Sequence, residues 1–239
     1  SGAYNGTAYT ATPTFTVTGA RSTTAPTYTV AGGPTSPATN CQISGSTITA
    51  NTTGVCRVTV SVAGDSNWAN AADFFWNTVT QHRTISIGGN SVREHFHPAN
   101  DFSSMIDTKE GPETCNSYNM LKLSKHLFLS DPSSKYMDYY ERTTYNHILS
   151  SQHPDGGFVY FTPIRPRHYR VYSESQQSFW CCVGSGLENH GKYGEMIYAH
   201  DDQNLYVNLF IASTLNWKEK GIKVTQDTKF PFEEKSSFT

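Results

Sequence analysis

Two short segments, Glu113-Thr114-Cys115 and Cys181-Cys182, hold the densest chemistry in this sequence. Three thiols and a carboxylate form a complete tetrahedral ligand set for zinc, and a zinc-bound sulfur stays in the reactive thiolate form. Pro112 suits the first turn of a helix, and Glu113 beside it sets a carboxylate near the positive end of the helix dipole. Glu113 and Cys115 cannot share one helix face, yet at a helix start they can converge on one ion. The adjacency of Cys181 and Cys182 strains joint coordination without forbidding it. On residue types alone two other readings stand beside a metal: inert buried thiols, and a vicinal disulfide at 181–182.

These residues must be positioned by the part of the chain beyond about Asp73. All nine histidines and every lysine lie there. Helical periodicity covers Ala72–Gln81, Cys115–Ser130 (Met120, Leu123, Leu127 and Phe128 on one face) and Ser134–Gln152. Asp131-Pro132 separates the last two, with Ser133 or Ser134 as the N-cap. Phe158–Phe161 and His168–Tyr172 read as a hairpin, and Gly186–Ala199 as a helix following the cysteine pair. Asn204–Ile211 and Gly221–Asp227 read as strands of a further sheet.

Residues 1–72 differ in kind. Their only charged side chains are Arg21, Arg57 and Asp65, amid many Thr, Ser, Ala and Gly. Alternation at Thr14–Thr18 and Arg57–Val62, punctuated by Gly19, Gly32-Gly33-Pro34, Gly45 and Gly64-Asp65, describes a small β-sandwich. The segment resembles the immunoglobulin-like repeats of bacterial surface proteins. Cys41 and Cys56 flank the hairpin read at Ile43–Thr49; in an oxidising compartment they can pair, and otherwise they are two buried thiols. No catalytic clustering of charge occurs here.

Composition also bounds the partners. A formal charge of −2 creates no field for polyanions, so nucleic acid is not expected. No apolar run approaches the ~20 residues of a membrane span. The opening Ser1–Asn5 has no signal-peptide pattern. Aromatic residues at 13% suit stacking against sugar rings, though an aromatic core gives the same share.

Four segments in order, Ile87–Phe96, Glu110–Asn116, Tyr139–Arg142 and Trp180–Gly186, resemble the bacterial β-L-arabinofuranosidases of glycoside hydrolase families 127 and 146. The resemblance runs from Phe74 to about Pro231 and implies a multidomain chain. A small all-β immunoglobulin-like sandwich (1–72) would precede a partial (α/α)6 catalytic toroid (73–200) and the start of a C-terminal β-sandwich (201–239). Roughly the first half of the family's toroid, with its substrate-contacting histidines, has no counterpart in this sequence.

The resemblance also implies roles. Glu113, Cys115, Cys181 and Cys182 would hold Zn2+, Cys181 would attack the anomeric carbon, and Glu94 would be the acid/base. Glu141, Tyr160 and His95 would contact substrate. The substrate would be an oligo- or polysaccharide bearing L-arabinofuranose, met outside the cytoplasm of a bacterium. Two alternatives remain: a carbohydrate-binding or adhesive protein with a structural zinc, and an acidic sugar gripped by Arg165, Arg167, Arg170 and His168. A histidine-bound second metal at His95 and His97 has only two ligands in its favour.

Overall fold

A computed structural model describes residues 9–11, 27–33, 37–44, 47–52, 54–61 and 66–239, in two compact units, Ser1–Asn70 and Ala71–Thr239. In the first unit, β1 (Tyr9–Ala11), β4 (Thr47–Ala50) and β3 (Gln42–Ser44) form an antiparallel sheet in the order β1-β4-β3. The strands β2 (Thr27–Gly32) and β5 (Cys56–Ser61) pair separately, from Thr27 opposite Ser61 to Gly32 opposite Cys56. The β3–β4 hairpin is the one expected between the cysteines, and Cys41 and Cys56 are joined by a disulfide. The expected strand at Thr14–Thr18 lies outside the described residues.

This bridge closes a loop across a sequence separation of 15 in a unit whose buried apolar side chains, among the described residues, are Ala38 and Ala50. Such a closure is worth about 3 kcal/mol on the chain-entropy account. In a Cys41→Ala/Cys56→Ala variant, amide exchange along β2 and β5 is expected to speed by about 100-fold, at about 1.4 kcal/mol per decade. Unchanged exchange would show that the sheet holds without the bridge.

The second unit is built on helices α1 (Ser66–His82, its first residues belonging to the other unit), α2 (Ser103–Asp107), α3 (Thr114–Ser130), α4 (Ser134–Thr143) and α5 (Cys181–Asn189). Trp76 of α1 is its anchor: wholly buried, it donates Nε1–H to Ser124 Oγ at 2.7 Å and meets the edges of Tyr136 and Tyr139. Met120, Leu127 and Phe128 face the same core, and Leu123 packs at its margin. Beyond the helices lie the pair β6 (Tyr198–His200) and β7 (Leu205–Val207), and an antiparallel sheet of β8 (Ser213–Trp217), β9 (Ile222–Thr228) and β10 (Ser236–Phe238) in the order β10-β9-β8.

Three expectations need correction. The helix read over Ser134–Gln152 stops being α-helical at Thr143 and continues as a π-turn (Thr144–Ile148) and a 3-10 turn (Leu149–Ser151). The helix after the cysteine pair starts at Cys181 itself and ends at Asn189; Gly191 and Gly194 follow, and turns replace the rest. The hairpin over 158–172 is reduced to one bridge, Val159 with Tyr172, and Phe158 pairs instead with Gln152 upstream. Two prolines, Pro163 and Pro166, interrupt it by removing backbone donors.

The π-turn directs His147 inward, where it is fully buried between Ser117 Oγ (2.8 Å) and Thr162 Oγ1 (3.1 Å). Burial pushes its pKa down to about 3. An imidazole held neutral in this way stabilises the fold fully above its unfolded pKa of about 6.5 and loses that contribution as pH falls towards 3. Urea midpoints between pH 7 and pH 4 are therefore expected to fall, by up to about 1.4 kcal/mol per pH unit from this residue. In His147→Gln the dependence should be shallower by about one proton. An equally steep dependence would assign the acid sensitivity to other groups.

A candidate thiolate site at two helix starts

The first turns of α3 and α5 meet, and that meeting makes the site. Glu113 is the N-cap of α3 and Cys115 lies in its first turn; Trp180 is the N-cap of α5 and Cys181-Cys182 open it. Neither cap residue makes a side-chain capping bond, so the Glu113 carboxylate is free to face the sulfurs. The positive ends of both helix dipoles favour negative charge here. The loop before α3 is fixed by Ser91 Oγ, which accepts Glu113 N–H at 3.0 Å. The stretch carrying Tyr160 is tied to α3 through Thr114 N–H to Tyr160 O (3.0 Å) and Thr114 Oγ1–H to Val159 O (2.8 Å). Gly111 permits this approach, since a Cβ there would stand 1.9 Å from Thr162 O.

The four candidate ligand atoms all lie within 4.8 Å of one another. Sulfurs bound to one tetrahedral zinc at about 2.3 Å stand about 3.8 Å apart, and a sulfur and a carboxylate oxygen slightly less. Cys181 Sγ to Cys182 Sγ is 3.9 Å, and Glu113 Oε1 stands 3.7 Å from Cys181 Sγ and 3.8 Å from Cys182 Sγ. The Cys182–Cys115 separation is tighter, at 3.0 Å. The donor set therefore fits the ion in identity and nearly in shape. A disulfide at 181–182 is excluded by the 3.9 Å between the sulfurs, and all three thiols are free.

Electrostatics point the same way. Cys182 donates its S–H to Cys115, which holds the Cys115 thiol down at about 6 and drives Cys182 up. Ser185 Oγ, 3.1 Å from Cys115 Sγ, also favours that thiolate. Burial, and then the negative charges of Cys115 and Glu94, push Glu113 up to about 7. Crowded anions that repel one another's protons into place are what a divalent cation relieves.

Cys181 differs from its neighbours. It is exposed, whereas Cys182 is wholly buried and Cys115 half-buried. Its Sγ stands 3.2 Å from Tyr160 OH, and Tyr160 donates its hydroxyl proton to Glu94 Oε1 in a short hydrogen bond. Burial raises the Cys181 thiol, and the bonds to Cys181 and then Glu94 hold Tyr160 protonated. One phenol thus stands between an exposed sulfur and an exposed carboxylate. Glu94 projects from a tight turn closed by Val92 and His95, with Arg93 in left-handed conformation (φ 56°) and bound to Glu110 at 2.6 Å.

The remaining candidates lie elsewhere. Because 92–95 is a turn, His95 and His97 do not share a face: His95 is exposed, while His97 is buried against the carbonyls of Pro98 and Arg83, each at 2.9 Å. Glu141 is not brought to the thiols. Its neighbours Tyr139 and Thr143 point inward, which turns position 141 towards a separate cavity of about 590 Å3 shared with Phe128, Met137, Tyr206 and Asn208. There burial raises its pKa, and its Oε1 has no partner among the described residues. The basic cluster disperses: Arg165 and Arg170 donate to the carbonyls of Asp107 and Ser150. Glu188 and His190 lie at the end of α5, where His190 stacks on Phe158. Ser91 and His147 were not legible as supports; Ser185, three and four residues beyond the cysteine pair, had a helical spacing that marks it.

Two solved structures share the helical fold. A GH127 β-L-arabinofuranosidase from Geobacillus stearothermophilus T6 superposes with a TM-score of 0.60 at 23% identity, covering 73% of this chain and 30% of its own. The GH127 β-arabinofuranosidase BT3674 gives 0.54 at 27% identity, covering 70% and 27%. The chain thus spans less than a third of either protein. No curated protein sequence matches it. The family model of the GH127 β-L-arabinofuranosidase catalytic domain matches residues 42–195, and that of the GH127 middle domain residues 204–239. This chain belongs to the GH127 β-L-arabinofuranosidase family. The catalytic-domain match opens at residue 42, inside the disulfide-bonded β-unit, some thirty residues before the break in composition at 72.

Proposed function

We propose that this chain carries the nucleophile half of a retaining glycosidase that removes β-L-arabinofuranosyl residues from plant glycans. The observation that carries this reading is Tyr160 OH, within reach of both Cys181 Sγ and Glu94. Sulfur and carboxylate are then at most two hydrogen-bond lengths apart, within reach of the ~5–5.5 Å between the reacting groups of retaining enzymes. Cys181 Sγ attacks the anomeric carbon, a C–S bond forms, and the glycosidic oxygen leaves with a proton from Glu94. Water then attacks the same carbon, gives its proton to Glu94, and the C–S bond breaks. Two inversions leave the configuration unchanged.

Glu113, Cys115, Cys181 and Cys182 would hold Zn2+. When bound, the ion keeps coordinated sulfur deprotonated at neutral pH. Purified protein is expected to contain about one equivalent of zinc by mass spectrometry, and Cys182→Ala or Cys115→Ala close to none. A zinc-free parent, or full zinc in both variants, would remove the ion from these ligands. The two-sheet β-unit with its disulfide supports an immunoglobulin-like module at 1–72 and an extracytoplasmic site of action. The helical unit supports a toroid segment over 73–200, and the β8–β10 sheet the opening of a sandwich over 201–239.

Incubation with 4-nitrophenyl β-L-arabinofuranoside, with the product anomer followed by NMR, tests the activity. Release of the β-anomer is the expected result, and release of the α-anomer refutes a thioether intermediate. Zinc retained without any hydrolysis favours the second reading, a carbohydrate-binding protein with a structural ion, for which the four-ligand set is itself an argument.

A further inference from the structure

The end of α5 opposite its cysteines closes on a buried amide. Asn189, the last residue of the helix, is only 3% exposed, and neither Oδ1 nor Nδ2 of its side chain has a hydrogen-bond partner among the described residues. Reversing the amide changes nothing, since both ends are unpaired. Thr144, which opens the π-turn, is 4% exposed, and its Oγ1 is likewise unpaired. Both residues line one small cavity of about 10 Å3. Tyr118 and Leu121 of α3, Tyr140 of α4 and Ile148 of the π-turn, all buried, make up most of the remaining wall. Of the two half-buried lining residues, Tyr193 shares its hydroxyl with His190, and Lys192 is paired with Glu195 at 3.5 Å.

Buried donors and acceptors are nearly always bonded, to protein or to ordered water. Three unpaired polar atoms on one cavity therefore point to an occupant, and size and chemistry together identify it. A volume of about 10 Å3 is close to the least that holds a single water molecule, which needs roughly two to four polar partners. An amide presents a donor and an acceptor, and a hydroxyl presents both, so the occupant must itself donate and accept. A cation would leave Nδ2 unpaired and would meet Lys192, and an anion would leave Oδ1 unpaired. We propose that this cavity is a binding site for one structural water, which bridges Asn189 to Thr144. The bridge ties the end of the cysteine-bearing helix to the π-turn, beside the direct contact of His190 Nε2 with Ser151 Oγ at 3.3 Å. The helix that opens with Cys181 and Cys182 is thus anchored at its closing residue, and Asn189 and Thr144 are positioning residues for it. The arrangement requires neither a sugar nor a metal ion at the sulfurs.

A crystal structure of the protein, refined at a resolution that shows ordered water, is expected to place one density peak within hydrogen-bond distance of both Asn189 and Thr144. A cavity without density overturns the site. Soaking the crystals in rubidium bromide separates water from an ion, because an anomalous peak in the cavity means a monovalent ion and overturns the water. In solution, Thr144→Val keeps the side chain's shape and removes its hydroxyl. Exchange of the His190 and Gly191 amides, bonded to Gly186 O and Glu188 O, is expected to speed by about tenfold, the scale of one lost hydrogen bond. The Arg83 amide, bonded to Val79 O at the end of α1, should keep its rate. Thr144→Ser, which retains the hydroxyl, should exchange as the parent does. No acceleration at the end of α5, equal acceleration at Arg83, or a Thr144→Ser variant as fast as Thr144→Val overturns the bridge. Should Thr144→Val fail to fold, the density in the parent decides alone.

Discussion

Cys181→Ala is expected to lower kcat/KM on 4-nitrophenyl β-L-arabinofuranoside by on the order of 10⁴-fold or more, the usual scale for loss of a covalent nucleophile. The argument starts from access. Of the three free thiols, Cys181 alone is exposed; Cys182 is wholly buried, and Cys115 is paired with Cys182 and Ser185. Solvent reaches Cys181 and does not reach Cys182. Both thiols are raised, Cys181 by burial and Cys182 first by its bond to Cys115, so exposure selects between them. The variant should fold as the parent does, because the deleted sulfur lies at the surface. Rapid quenching of the parent should add the mass of one arabinosyl group to the peptide containing Cys181. Turnover by the alanine variant near the parental rate would falsify the assignment.

The second large effect belongs to Glu94. Glu94→Gln removes the proton donor while keeping the side chain's size, and a loss of about 10²–10⁴-fold is expected for a leaving group that needs protonation. For 4-nitrophenolate, which departs without help, the first step should be nearly spared and the glycosyl-enzyme should accumulate, visible as a burst of nitrophenol. A deep loss that is equal for activated and unactivated leaving groups would instead make Glu94 a positioning residue acting through Tyr160. The geometry favours the donor role. Glu94 stands at the tip of a turn held by Arg93–Glu110, exposed towards incoming substrate, with Tyr160 fixing its direction.

Much of the site could be read from residue types. On residue types Glu113, Cys115, Cys181 and Cys182 are a zinc-competent set with inert thiols and a vicinal disulfide as rivals, and the structure brings all four together. Tyr160 and Glu94 came only from the family resemblance; nothing in their spacing announces that one phenol will join residues 66 and 21 positions away. Helix α3 was legible because its apolar positions repeat with the helical period over four turns. The beginning of α5 was not, since Cys-Cys-Val-Gly-Ser-Gly carries weak helix formers and gains its shape from packing on α3. The direction of Glu141 was not legible either: two positions on a helix differ by about 200°, so a carboxylate between inward-facing Tyr139 and Thr143 stands at a separate cavity.

The π-turn at 144–148 works as a phase shifter. One surplus residue lets a rod whose outer side presents Glu141 present His147 inward a turn later, so a single continuous segment serves two different surroundings. Excising one residue there would restore regular winding and swing everything downstream by about 100°. The imidazole would leave Ser117 and Thr162, and the clamp between α3 and the tyrosine-bearing stretch would go with it. The alignment of the two helix starts therefore depends on a count of residues at a place that touches none of the three free sulfurs.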